Sequence, residues 1–177
     1  MSRYVALLRA VNVGGTGKLL MSELASMCRD AGFSRVATYI ASGNVVFESD
    51  VPAAKVKALL ETRLRAHDRK LSGVMVRSAS EMQAIIASNP FADTEPKYTY
   101  VIFLDAPPPA DALLNATGRK DEQMRLGKRE IYVHYPSGMG GSKLRIPAAK
   151  TGTARNMNTV SKLLAMMSKP TPAEKTQ

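Results

Sequence analysis

Val36-Ala37-Thr38-Tyr39-Ile40 and Val45-Val46-Phe47-Glu48 flank Ala41-Ser42-Gly43-Asn44, and this hairpin decides the fold. Two β-rich runs separated by residues that tolerate positive φ read as antiparallel strands, with Gly43 or Asn44 at the bend. Working outward, Met21, Leu24, Ala25, Cys28 and Ala31 recur at helical spacing before the hairpin, and Gly32 ends that helix. Ahead of it, Tyr4 to Val11 reads as a buried strand, apolar except for Arg9. After the hairpin, Val56, Leu59, Leu60 and Leu64 set one apolar face on a second helix, and Val74 to Arg77 forms a fourth strand. The order βαββαβ is the ferredoxin-like plan.

The remainder reads as a helix from Ala79 to Ser88, stopped by Asn89-Pro90, and a strand from Tyr98 to Leu104. Pro107-Pro108-Pro109-Ala110-Asp111 opens a helix, proline being tolerated in a first turn. A hairpin of Glu122–Leu126 and Glu130–Tyr135 turns at Gly127-Lys128. A last helix runs from about Ala154 to Met167, with Met157, Val160, Leu164 and Met167 on one face. This half has the order αβαββα, a second unit short of its last strand. The expected class is α+β: two ferredoxin-like (βαββαβ-type) halves with mixed or antiparallel sheets and helices on one face. Residues 1–78 form the first half and 79–168 the second, followed by a tail over 169–177.

The chain has 177 residues, 45% of them hydrophobic, enough for a sizeable core; Trp is absent and Met numbers ten. A single cysteine, Cys28, excludes an internal disulfide. With no signal-peptide pattern and no apolar run of transmembrane length, the expectation is a cytoplasmic protein without membrane association. The net charge of +10 favours anionic partners. Lys and Arg crowd the stretch from Gly118 to Lys169, where the only acids are Asp121, Glu122 and Glu130.

Several pieces together resemble the bacterial domain-of-unknown-function family numbered 1697. They are Tyr4-Val5-Ala6-Leu7-Leu8-Arg9, Asn12-Val13-Gly14-Gly15, Lys18, Met21 and Tyr39 to Phe47 in the first half. In the second they are His134-Tyr135-Pro136, Gly138, Ser142-Lys143-Leu144 and Thr153-Ala154-Arg155-Asn156. The resemblance spans nearly the whole chain and implies a two-part α+β fold, but no activity. Where the family carries Trp after Arg-Asn, this chain has Met157, which leaves a packing role and weakens a stacking one.

Two glycine loops follow strands. Asn12-Val13-Gly14-Gly15-Thr16-Gly17-Lys18 lacks the first Gly and the Ser/Thr after Lys of a Walker A motif, and it lacks Rossmann spacing. It reads as a nest of N–H groups with Lys18 as a point charge, or as a plain turn. Gly140-Gly141-Ser142-Lys143 repeats the theme. Thr153 reads as an N-cap, which puts Arg155 and Asn156 in the first turn of the last helix, where a cation conflicts with the dipole unless an anion binds there. Arg9 reads as a charge inside a strand, paired or ligand-facing. Ser42 and Asn44 are hairpin residues able to reach a neighbouring loop. The two histidines show no metal-ligand spacing, and no Ser-His-Asp set or carboxylate dyad can be assembled.

The leading expectation is therefore a protein that binds a phosphate-bearing ligand, a nucleotide or a nucleic-acid backbone, without cofactor or metal. Arg9, Lys18, Lys143 and Arg155 would supply charge. Asn12, Gly14, Gly15, Ser42, Asn44, Gly140, Gly141, Ser142, Thr153 and Asn156 would supply hydrogen bonds. Two alternatives stand beside it: an enzyme on a phosphorylated or nucleotide substrate with His134 as acid/base, and a structural or interaction protein whose polar motifs pin the two halves together.

Overall fold

A computed structural model describes residues 1–12, 17–71 and 73–168. The elements run β1 (Ser2–Leu8), α1 (Met21–Asp30), β2 (Ser34–Thr38), β3 (Asn44–Ser49), α2 (Ala53–His67), β4 (Val74–Ser78) and α3 (Ala79–Ala87). They continue with β5 (Thr99–Phe103), β6 (Gln123–Leu126), β7 (Glu130–His134), β8 (Thr153–Asn156) and α4 (Met157–Ser168). Two four-stranded sheets result, in the orders β2-β3-β1-β4 and β6-β7-β5-β8, and every pairing in them is antiparallel.

Strand periodicity sorts the side chains into three apolar clusters. Along β1, Tyr4, Ala6 and Leu8 face outward into a cluster with Leu24 and Cys28 of α1 and Val56, Leu60 and Leu64 of α2. Val5 and Leu7 face inward with Met75 of β4. That inner cluster also takes Val101 and Phe103 of β5, Tyr132 of β7, Met82 and Ile85 of α3, and Met157, Val160, Leu163 and Met167 of α4. The remaining residues of the second sheet, Ile102, Leu104, Met124, Ile131 and Val133, face a third cluster closed by Ile146 and loop residues. The first sheet is thus covered by helices on both faces, not on one, which is why β1 reads as a near-continuous apolar run.

Several local expectations change. The first strand ends at Leu8, because Ala10 and Asn12 take positive φ (52° and 57°) and lead the chain out of the sheet. The proline run does not open a helix. Residues 110–115 form turns closed by three-residue hydrogen bonds, Ala112 N–H to Pro109 O (3.0 Å) and Leu114 N–H to Asp111 O (3.0 Å). The second sheet does have its fourth strand: β8 pairs with β5 in a segment whose Thr and Asn resemble capping residues. The last helix accordingly begins at Met157, with Asn156 Oδ1 accepting from Thr159 N–H at 2.9 Å. In the first half, the hairpin turns at Gly43 with φ of 90°, while Asn44 already belongs to β3.

Candidate functional site

Arg155 is the centre of the polar signature, and its surroundings differ from the helix start read from the sequence. It lies in β8 and is 6% exposed. Its Nε donates to Asn44 Oδ1 (2.7 Å), and its Nη1 donates to Thr153 Oγ1 (2.6 Å) and Ala154 O (2.9 Å). Nη2 reaches Leu8 O (2.8 Å), Ser42 O (3.0 Å) and Gly43 O (3.2 Å). All three guanidinium nitrogens are therefore turned to protein acceptors, most of them at the exit of β1 and the entrance of β3. Burial pulls its pKa down from the usual value to about 10, and no carboxylate pairs with it among the described residues.

The expected site residues near Arg155 serve this arrangement. Asn44, fully buried, also donates through Nδ2 to Tyr39 O (2.9 Å) and Ser42 Oγ (2.9 Å). Thr153 Oγ1 donates to Leu8 O (3.3 Å). Asn12 closes its loop, with Nδ2 on Leu19 O and Ala41 O (2.8 Å each) and Oδ1 accepting from Leu19 N–H (2.8 Å). Asn156 is the cap of α4. Arg9 is not a charge within a strand: it follows β1, half-exposed, and donates from Nη2 to Lys150 O (2.8 Å). Lys18 is exposed, and Gly14 and Gly15 lie outside the described residues.

The second glycine loop belongs to a separate place. A cavity of about 460 Å³ lies between residues 118–122 and 137–143, lined by Gly138, Gly141, Ser142 and Lys143 on one wall and Lys120, Asp121 and Glu122 on the other. Gly140 is exposed beside it and is not part of the lining. None of the Arg155 partners lines this cavity, so the residues expected to share one site fall into two groups. Two carboxylates tie the loop down. Ser137 Oγ donates to Asp121 Oδ2 (2.5 Å) and Ser142 Oγ to Glu122 Oε1 (2.6 Å), while Glu122 Oε2 accepts from Lys120 N–H (2.6 Å). The Ser142 hydroxyl, and next the Lys120 N–H, hold the Glu122 carboxyl below its ordinary value. Gly118 is required here: with φ of 71°, a Cβ would sit 2.0 Å from Lys143 O.

His134 ends β7 away from the cavity lining. Its Nδ1 pairs with Thr99 Oγ1 at 3.0 Å, and Thr99 Oγ1 pairs in turn with Thr94 Oγ1 at 2.8 Å. The ring also lies 5.9 Å from that of Phe91, and among the described residues no ion pair involves it.

Arg77 was missed as a polar centre. It is 1% exposed, and its Nε donates to Glu130 Oε1 (3.2 Å), Nη1 to Val76 O (3.1 Å), and Nη2 to Leu104 O (2.6 Å) and Arg129 O (3.2 Å). Burial, and then the nearby Arg129 charge, lower its pKa against the opposing pull of Glu130. The available signal was a cation closing the apolar run Val74-Met75-Val76, directly before the helix-capping Ser78.

Among the described residues, no group of three or more His, Cys, Asp or Glu side chains could hold a metal, and no helix is long and apolar enough to cross a membrane. The chain matches the family model "Protein of unknown function (DUF1697)" over residues 1–132, and it belongs to that family. Its structure is similar to that of a conserved bacterial protein from Streptococcus pneumoniae. The TM-score is 0.78 at 26% identity, over 94% of this chain and 98% of the other. No curated protein matches the chain.

Proposed function

We propose that this chain binds a phosphate-bearing small molecule in the cavity between residues 118–122 and 137–143. The observation that carries the reading is the lining itself: Gly138, Gly141, Ser142 and Lys143 face Lys120 across about 460 Å³. That volume suits a small ligand. Glycine permits close backbone approach, and the two lysines supply charge. Asp121 and Glu122 on the same wall favour a nucleotide over a nucleic-acid backbone. A polyanionic strand would meet two carboxylates, whereas sugar hydroxyls would find acceptors. The test is a thermal-shift titration with inorganic phosphate, a nucleoside monophosphate and a short single-stranded oligonucleotide. The monophosphate is expected to stabilise wild type most, and Lys143→Ala and Lys120→Ala should each lose that shift while melting normally without ligand. Absence of any shift, or shifts indifferent to both lysines, would overturn the reading.

A second reading concerns the motifs around Arg155, and its warrant is the saturation of that guanidinium by backbone and side-chain acceptors. In this reading Asn44, Thr153 and Arg155 pin the two halves of the chain together and contact no ligand. The strand order β2-β3-β1-β4 with α1 and α2 as connections supports a ferredoxin-like first half. Arg155→Lys keeps the charge but cannot reproduce the planar fork, and it is expected to lower the melting temperature without changing the ligand-induced shift.

A further inference from the structure

The four hydrogen bonds of Arg77 each have a counterpart at Arg155. Each precedes the cap of a helix: Arg77-Ser78 leads into α3 and Arg155-Asn156 into α4. Arg77 stands opposite Val5 of β1, and Arg155 opposite Val101 of β5. Each Nη1 donates to the preceding carbonyl, Val76 O or Ala154 O. Each Nη2 reaches the end of the other sheet's first strand, Leu104 O just past β5 for Arg77 and Leu8 O at the end of β1 for Arg155. It also reaches the other sheet's hairpin turn, Arg129 O or Gly43 O. Each Nε meets the first residue of the following strand, Glu130 or Asn44. Even the brace between the acceptors recurs, Leu104 N–H to Arg129 O (2.9 Å) and Leu8 N–H to Gly43 O (2.8 Å).

Strand register repeats in the same way. Leu7 pairs with Asn44 as Phe103 pairs with Glu130, and Leu7 pairs with Met75 as Phe103 pairs with Thr153. Thr38 pairs with Val45 as Leu126 pairs with Ile131. The two sheets share one strand order, and α3 and α4 pack against each other in the core common to both.

We infer that the chain is two copies of one unit, four strands and a closing helix, docked through a self-complementary interface in which each copy inserts its arginine into the other. The first unit runs from Ser2 to Ala87 and the second from Thr99 to Ser168. The division falls after α3 rather than before it, because α3 stands to β4 as α4 stands to β8. The partner that each interface surface fits is a second copy of the same unit, the isologous arrangement of a two-fold dimer contained within one chain. The two latches differ in their Nε partner and in number of contacts: Arg77 meets a carboxylate, whereas Arg155 meets an amide whose Nδ2 is also committed to Tyr39 O and Ser42 Oγ, and it adds bonds to Thr153 Oγ1 and Ser42 O.

The test cuts the folded full-length chain. A protease site inserted between the exposed Ala92 and Asp93 is cleaved in the native protein, and the products are followed by size-exclusion chromatography and circular dichroism. The two fragments are expected to remain one particle with native secondary structure. Arg77→Ala and Arg155→Ala, each in the nicked background, should weaken fragment association about thirty-fold, the effect of a buried arginine anchor. A nicked wild type that falls apart or unfolds would overturn the inference. So would arginine variants that hold together as tightly as wild type. Leu113→Ala, on the far side of the second sheet, serves as the control and should leave association unchanged.

Discussion

The two sheets have the same strand order and, apart from an irregularity between Ser34 and Ala37 of β2, matching register, yet their outer faces are closed by different means. On the first sheet, α1 and α2 lay Leu24, Cys28, Val56, Leu60 and Leu64 across the strands. On the second, the same positions in the chain order are taken by turns over residues 110–115 and by the long segment from Tyr135 to Gly152. Only Ile146 of that segment is buried among the outer-face residues. The difference teaches that strand pairing does not depend on what crosses between the strands. Three prolines in a row and a run of glycines withdraw the helix option, because proline lacks the N–H and glycine loses the most entropy on ordering. The exposed backbone that results is where the 460 Å³ cavity lies.

This contrast yields a graded set of expectations. Leu60→Ala, at a fully buried position of α2 facing the first sheet, should destabilise the chain by about 3–5 kcal/mol in urea unfolding. Ile146→Ala, 8% exposed and next to loops able to relax around the gap, should cost about 2 kcal/mol or less. Equal losses would erase the distinction between a helix-built and a loop-built cover. A third expectation concerns pH at the loop-built face. The Glu122 carboxyl is depressed, so its contribution to stability is present above its unfolded value and fades as pH falls through the folded one. Ser142→Ala removes the foremost cause, and the Glu122 titration followed by NMR should move to higher pH. An unchanged midpoint would show that the hydroxyl does not hold the loop. The smallest effect is expected at Cys28, whose thiol burial pushes up to about 12. A thiol reagent should leave the native protein unlabelled until α1 opens. Rapid labelling at neutral pH would mean the helix-built face is the looser of the two.

Much of the fold was legible in the residues. The hairpin at Gly43, the helix faces of Leu24–Cys28 and Val56–Leu64, and the hairpin at Gly127 follow from local periodicity and turn chemistry. The misreadings cluster where local and non-local preferences compete. Thr153-Ala154-Arg155-Asn156 has the composition of a helix start, and only pairing with β5 makes it a strand. Once the helix begins at Met157, the conflict between a cation and the helix dipole no longer exists, and Arg155 answers to the carbonyls of Leu8, Ser42 and Gly43 instead. The candidate site was legible as a set of polar residue types. It was not legible as two groups, because four of the Arg155 partners, on Leu8, Ser42, Gly43 and Asn44, lie more than a hundred positions away in the chain. Asp121 and Glu122 were equally hidden: their place opposite Ser137 and Ser142 depends on how the second sheet folds back.

The sequence by itself determined which segments alternate, which coil and which turn, since those preferences are written within a few residues by side-chain shape and hydrophobic spacing. Tertiary structure alone decided which donors meet which acceptors. A buried guanidinium must find partners for every N–H, and for Arg77 and Arg155 several of those partners are backbone carbonyls from the other half of the chain, Leu104 and Arg129 or Leu8, Ser42 and Gly43, which carry no signature in their own side chains.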